Sequence, residues 1–89
     1  MGYSSFSKSR AGIPDLDCNK ATEPGTYYYY NEQGVLANSP GLARFVLQTF
    51  VSSVFMAQVA FSFSTSESGG YSVKYRTYDG NAWLAWTSL

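Results

Sequence analysis

Apolar and polar residues alternate along most of this chain with a period of two rather than 3.6. The clearest run is Tyr71, Val73 and Tyr75, which interleave with Ser72, Lys74 and Arg76 as a strand with one buried face requires. Asp79-Gly80 follows as a hairpin signal, because a tight two-residue turn needs positive φ that glycine supplies without strain. Ala82 to Trp86 then returns, aromatic and apolar. A two-residue loop at Asp79-Gly80 or at Gly80-Asn81 puts Leu84 and Trp86 on the side of Val73 and Tyr75. Either loop puts Trp83 on the side of Lys74, Arg76 and Tyr78. The expectation is a core face containing Trp86 and a wetter face containing Arg76 and Trp83.

The same period runs upstream. Thr26 to Tyr30 reads as a short strand with Tyr27 and Tyr29 on one face and Tyr28 and Tyr30 on the other. Ala43 to Val51 is the next, with Phe45, Leu47, Thr49 and Val51 together. Ser52-Ser53 breaks it, and Val54 to Ser64 forms another, with Phe55, Ala57, Val59, Phe61 and Phe63 expected toward the core. The breakers are Ala21 to Gly25, Asn31 to Gly34, Asn38-Ser39-Pro40-Gly41 and the Ser/Gly loop Thr65 to Gly70. Residues 1–14 are small and polar and read as a lead-in or linker; 15–89 reads as a single domain. The fold class expected is mainly β, with α+β as the alternative: an antiparallel sheet of about five strands, a C-terminal hairpin and a short helical turn near Asp15–Ala21.

Composition narrows the chemistry. Eighty-nine residues hold one core. Aromatics reach 18%, with eight Tyr and six Phe, while charge is 13%, about half the usual share; this favours pleated surfaces. Six basic and six acidic residues are scattered singly, so nothing attracts a polyanion and no nucleic-acid partner is expected. There is no histidine, which removes the commonest general base and metal ligand, and Cys18 is the sole cysteine. No metal and no cofactor are expected. Asp15, Asp17 and Asn19 alternate like the start of a calcium loop, but Lys20 stands where the turn glycine belongs and Thr26 where the bidentate Glu belongs. The expectation there is a turn in which Asp and Asn side chains bond nearby backbone amides. Phe45 to Phe63 carries no charge, yet Gln48, Ser52, Ser53 and Gln58 and the many β-branched and aromatic residues favour two strands over a spanning helix.

Taken in order, Asp15-Leu16-Asp17-Cys18-Asn19, Pro24-Gly25-Thr26-Tyr27-Tyr28, Ala37-Asn38-Ser39-Pro40, Phe45 to Leu47, Gln58 to Ala60, Tyr75 to Thr77 and Gly80 to Trp86 form a pattern. It resembles the knob domains of phage tail fibres and R-type pyocin fibres. There an Asp-Leu-Asn start, a Gly-x-Tyr strand and an Asn-x-Pro loop precede a Gln-bearing strand, and an Arg…Gly-x-Trp-x-x-Trp hairpin closes the domain. The resemblance covers about Asp15 to Leu89. It departs in the start, which reads Asp-Leu-Asp-Cys-Asn, and in the two residues Asn81-Ala82 between Gly80 and Trp83. It implies a virion tail-fibre component encoded by a phage or prophage, usually homotrimeric with other fibre subunits as partners, acting in adsorption to a bacterial surface.

Three functions follow for comparison. In the first, Lys74, Arg76, Tyr78, Asn81 and Trp83 are candidates for contacting a surface receptor, polysaccharide in kind, since sugars offer C–H faces to aromatic rings and hydroxyls to amides and cations. In the second, the domain is an oligomerising or spacer unit with Tyr28 and Tyr30 at a subunit interface. The third, a glycosidase, needs two positioned carboxylates, and Asp15, Asp17, Glu23, Glu32, Glu67 and Asp79 mostly fall in expected turns. No enzymatic activity and no membrane insertion are expected.

Overall fold

Six strands lie side by side in chain order in the computed structural model, which describes residues 9–62 and 72–89. They are β1 (Ser9–Gly12), β2 (Gly25–Tyr30), β3 (Arg44–Ser52), β4 (Phe55–Ser62), β5 (Val73–Tyr78) and β6 (Thr87–Ser88). β2 to β6 form a five-stranded antiparallel meander, the mainly β architecture that the alternation predicts. Parallel β1 adds an edge that the alternation does not predict: Ser9 pairs with Thr26 and Gly12 with Tyr28. Part of the segment read as a lead-in therefore belongs to the sheet, and Ile13 just after that strand is buried. Phe63, Tyr71 and the Thr65 to Gly70 loop with Glu67 lie outside the described residues. Among the described residues no helix is long and apolar enough to cross a membrane, and the charge-free run forms the β3–β4 hairpin instead.

One face of the sheet is covered by a layer without regular strands. It consists of two 3-10 turns at Pro14–Leu16 and Cys18–Lys20 and a third at Asn31–Gln33 with the loop after it. The short helical turn expected near Asp15–Ala21 is thus a pair of single 3-10 turns. Backbone bonds splice the layer together, Cys18 N–H to the Ala37 carbonyl at 3.1 Å and Ala37 N–H to the Leu16 carbonyl at 2.8 Å. Between sheet and layer lie Cys18, Ala21, Tyr27, Tyr29, Leu36, Leu42, Phe45, Leu47 and Ala60. The buried tyrosines satisfy their hydroxyls on the layer's backbone: Tyr27 donates to the Glu23 carbonyl at 2.7 Å and Tyr29 to that of Gly34.

The β3 faces follow the alternation, with Phe45, Leu47 and Thr49 buried. Those of β4 do not. Gln58, Ala60 and Ser62 point inward, while Phe55 and Phe61 are 56% and 46% exposed. Phe55, Ala57, Val59 and Phe61 were the residues expected in the core, and the pairing explains the reversal. The hairpin turns at Ser53-Val54, with Ser52 opposite Phe55, so Thr49 faces Gln58 and Leu47 faces Ala60. The inner position is polar because the covering layer presents backbone carbonyls that need donors.

The C-terminal hairpin takes one of the two expected turns, with Tyr78 opposite Trp83, and departs from expectation beyond it. Asp79 N–H donates to the Ala82 carbonyl at 3.3 Å, so Gly80 and Asn81 occupy the turn, with Gly80 at φ +94°. Tyr78 bridges Trp83, but Tyr75 pairs with Thr87, so two residues on β5, Arg76 and Thr77, face three on the return, Leu84, Ala85 and Trp86. That extra residue flips the parity between the two tryptophans, as a bulge does. Trp86 therefore shares the face of Arg76 and Trp83, and Leu84 is exposed. The face expected to be wetter is the covered one.

Candidate binding site

Arg76 lies at the middle of β5, opposite Gln58, and is 4% exposed. Its Nε donates to Gln58 Oε1 at 2.9 Å. Gln58, itself fully buried, spends its amide N–H groups on the covering layer, donating to the carbonyls of Cys18 at 2.9 Å and Ala21 at 3.1 Å. Thr49 adds a hydroxyl donation to the same Ala21 carbonyl at 3.0 Å. Sheet and layer are joined by a polar seam from Ala21 to Arg76.

The guanidinium carbon sits 4.0 Å from the centroid of Trp83 and 4.7 Å from that of Trp86. Cation–π attraction of this kind is worth about 2 kcal/mol or more where water is excluded. Trp86 is held by its indole N–H, which donates to the Asn38 carbonyl at 2.9 Å; Trp83 packs tilted on Tyr78 at 5.2 Å between centroids. Asp79 forms the adjoining turn, its Oδ1 accepting from the backbone N–H groups of Asn81 and Ala82, each at 2.9 Å. Those two amides, Ala82's foremost, hold its carboxyl below the usual carboxylate range.

Arg76, Tyr78 and the two tryptophans line a shallow open groove of about 780 Å³. Arg76, Trp83 and Trp86 meet there with the amides of Asn19, Asn38 and Asn81. Of the residues singled out in the sequence, Arg76, Tyr78, Asn81 and Trp83 come together here. Lys74 does not line it: its ammonium group lies close to Gly41, farther along the sheet. Trp86, expected in the core, lines it as well, and Asn19 and Asn38 join it without having been binding candidates. Tyr28 and Tyr30 stand exposed on the opposite face, their rings stacked at 6.1 Å and 7°.

The alternating acids do not converge on one point. Asp15 pairs with Lys20 at 3.2 Å, while Asp17 Oδ1 accepts from Asn19 N–H at 2.9 Å and from Asn38 Nδ2 at 2.8 Å. The Asn38 amide, then the Asn19 backbone, lowers the Asp17 pKa. This is the amide-bonded turn that the spacing suggested, and among the described residues no group of three or more Asp, Glu, Cys or His side chains could hold a metal ion. Comparison of the chain with protein-family models, with curated proteins and with solved structures gives no match.

Proposed function

We propose that this domain is a receptor-recognition module of a phage or prophage tail fibre, which adsorbs to bacterial surface carbohydrate through the Arg76–Trp83–Trp86 groove. One observation carries the reading. The separate pieces of the knob-like pattern, Asp17 to Asn19, Asn38, Gln58, Arg76, Trp83 and Trp86, meet at one network although they are spread across the chain. An aromatic wall beside several amides suits a sugar, whose C–H face stacks while its hydroxyls bond at the rim. The reading is of binding rather than catalysis, since among the described residues no Asp or Glu lines the groove. Trp83→Ala should keep the β-sheet circular dichroism and lose at least tenfold in binding to host cells. A folded variant that binds host cells as the parent does would sink the proposal.

A second reading is favoured by the face of the sheet that the described residues leave uncovered. Tyr28, Val46, Phe61 and Val73 form one row across it and Thr26, Gln48, Val59 and Tyr75 the next, with no charge in either. Such a face suits other copies of the same chain, because identical surfaces meet without like-charge repulsion. On this reading the domain serves the fibre by oligomerising, and the two surfaces lie on opposite sides of one sheet.

A further inference from the structure

Arg76 is a buried cation with no carboxylate partner. The ion pairs among the described residues are Lys20 with Asp15 and Arg44 with Glu32, both away from it. Its Nε is satisfied by Gln58, but Nη2 is shielded from water and has no hydrogen-bond acceptor. Burial lowers the arginine pKa, with Cys18 and Asp17 opposing, yet guanidinium does not give up its proton in a protein. A retained charge without a partner is costly to bury. The groove that Arg76 lines supplies amides, a serine and aromatic rings, and among the described residues no acid. It therefore carries one positive charge that no acid contacts: Asp17 acts on it only through space, its carboxylate being bonded to Asn19 and Asn38.

We infer that the ligand of this groove is an acidic saccharide whose carboxylate is the missing counter-charge of Arg76, a deepening that rests on the carbohydrate-binding reading. A carboxylate at the groove can take a charge-assisted bond from the guanidinium, about twice as strong as a neutral one. A single cation balances a monoanionic sugar acid better than a phosphate dianion. Trp83 and Trp86 then flank the ring that bears the carboxylate, and Asn81 and Asn38 meet its hydroxyls.

The test is tryptophan fluorescence titration of the full chain with oligosaccharides ending in glucuronate, galacturonate or sialic acid. Each is compared with its carboxyl-reduced counterpart, and inorganic phosphate is titrated alone. At least one acidic sugar should bind tenfold or more tightly than its reduced form, and raising NaCl from 50 to 500 mM should weaken only the acidic member. Asn81→Ala, at the rim and exposed, should weaken that binding while the fold is kept. Equal or tighter binding of the reduced sugars would overturn the inference and leave the carbohydrate site standing. Binding of phosphate without any acidic sugar would also overturn it, and binding of no member would overturn both readings.

Discussion

Cys18 is buried at the junction of the two layers, where its carbonyl accepts from Gln58 and its thiol meets the core. Burial pushes the thiol from an ordinary 9.0 up to about 12. The sign for stability follows from which state ionises first. Below pH ~9 the thiol is neutral in both states and contributes no pH dependence; above it the unfolded chain loses a proton that the folded chain keeps, so stability falls by about 1.4 kcal/mol per pH unit. Urea midpoints at pH 8 and pH 10 should therefore drop more steeply for the parent than for Cys18→Ala, and identical slopes would contradict the assignment. Gln58 was legible in the sequence only as part of a pattern, not as a buried residue. Hydropathy places an amide outside and phenylalanines inside; here the layer's carbonyls at Cys18 and Ala21 demand a donor, and that demand outweighs the apolar count.

Among the elements, turn chemistry decides more than strand composition. The β3–β4 hairpin turns at Ser53 with φ +58°, a conformation in which a residue other than glycine is strained. Ser53→Gly should stabilise by roughly 0.5–1 kcal/mol, since hairpin turns of this kind favour glycine first; a melting temperature unchanged or lowered would count against it. The alternation located β2, β3, β4 and β5 because every strand covered on one face repeats every second residue. It assigned β3 correctly and β4 wrongly: Phe55 and Phe61 on the outer face are more apolar than Gln58 and Ser62 on the inner. Parity also failed for Trp86, because the extra residue between Trp83 and Thr87 has no signature in Leu84-Ala85. β1 went unseen, for four residues of Ser, Arg, Ala and Gly carry no alternation and pair only because β2 offers an open edge.

For the whole molecule, the main asymmetry is between a covered face that is partly polar and an open face that is largely aromatic and aliphatic. The open face bears Tyr28, Phe61, Val59 and Tyr75 without a charge in its centre. If copies associate through it, Phe61→Glu should convert the assembled species to monomer in sedimentation velocity at tens of micromolar while circular dichroism stays unchanged. A parent chain that is already monomeric at that concentration would remove the oligomerising role.

Strand order has a bearing on the order of events in time. Each strand neighbours the one before it in sequence, so the meander is assembled from contacts between adjacent strands, whereas closing the layer joins Cys18 to a residue forty positions away. Contacts that span long loops tend to form after those that span short ones. The polar seam at Gln58 thus acts as a late-fastening latch whose loss is felt on opening rather than on closing. Gln58→Leu leaves several buried groups unpaired, costing about 3 kcal/mol. It should raise the unfolding rate about a hundredfold and leave the folding rate nearly constant, as stopped-flow urea jumps would show. A folding rate that falls instead would place the latch in the nucleus. On this view durability is separate from foldability: the sheet governs how fast the domain forms, and one buried amide governs how long it lasts.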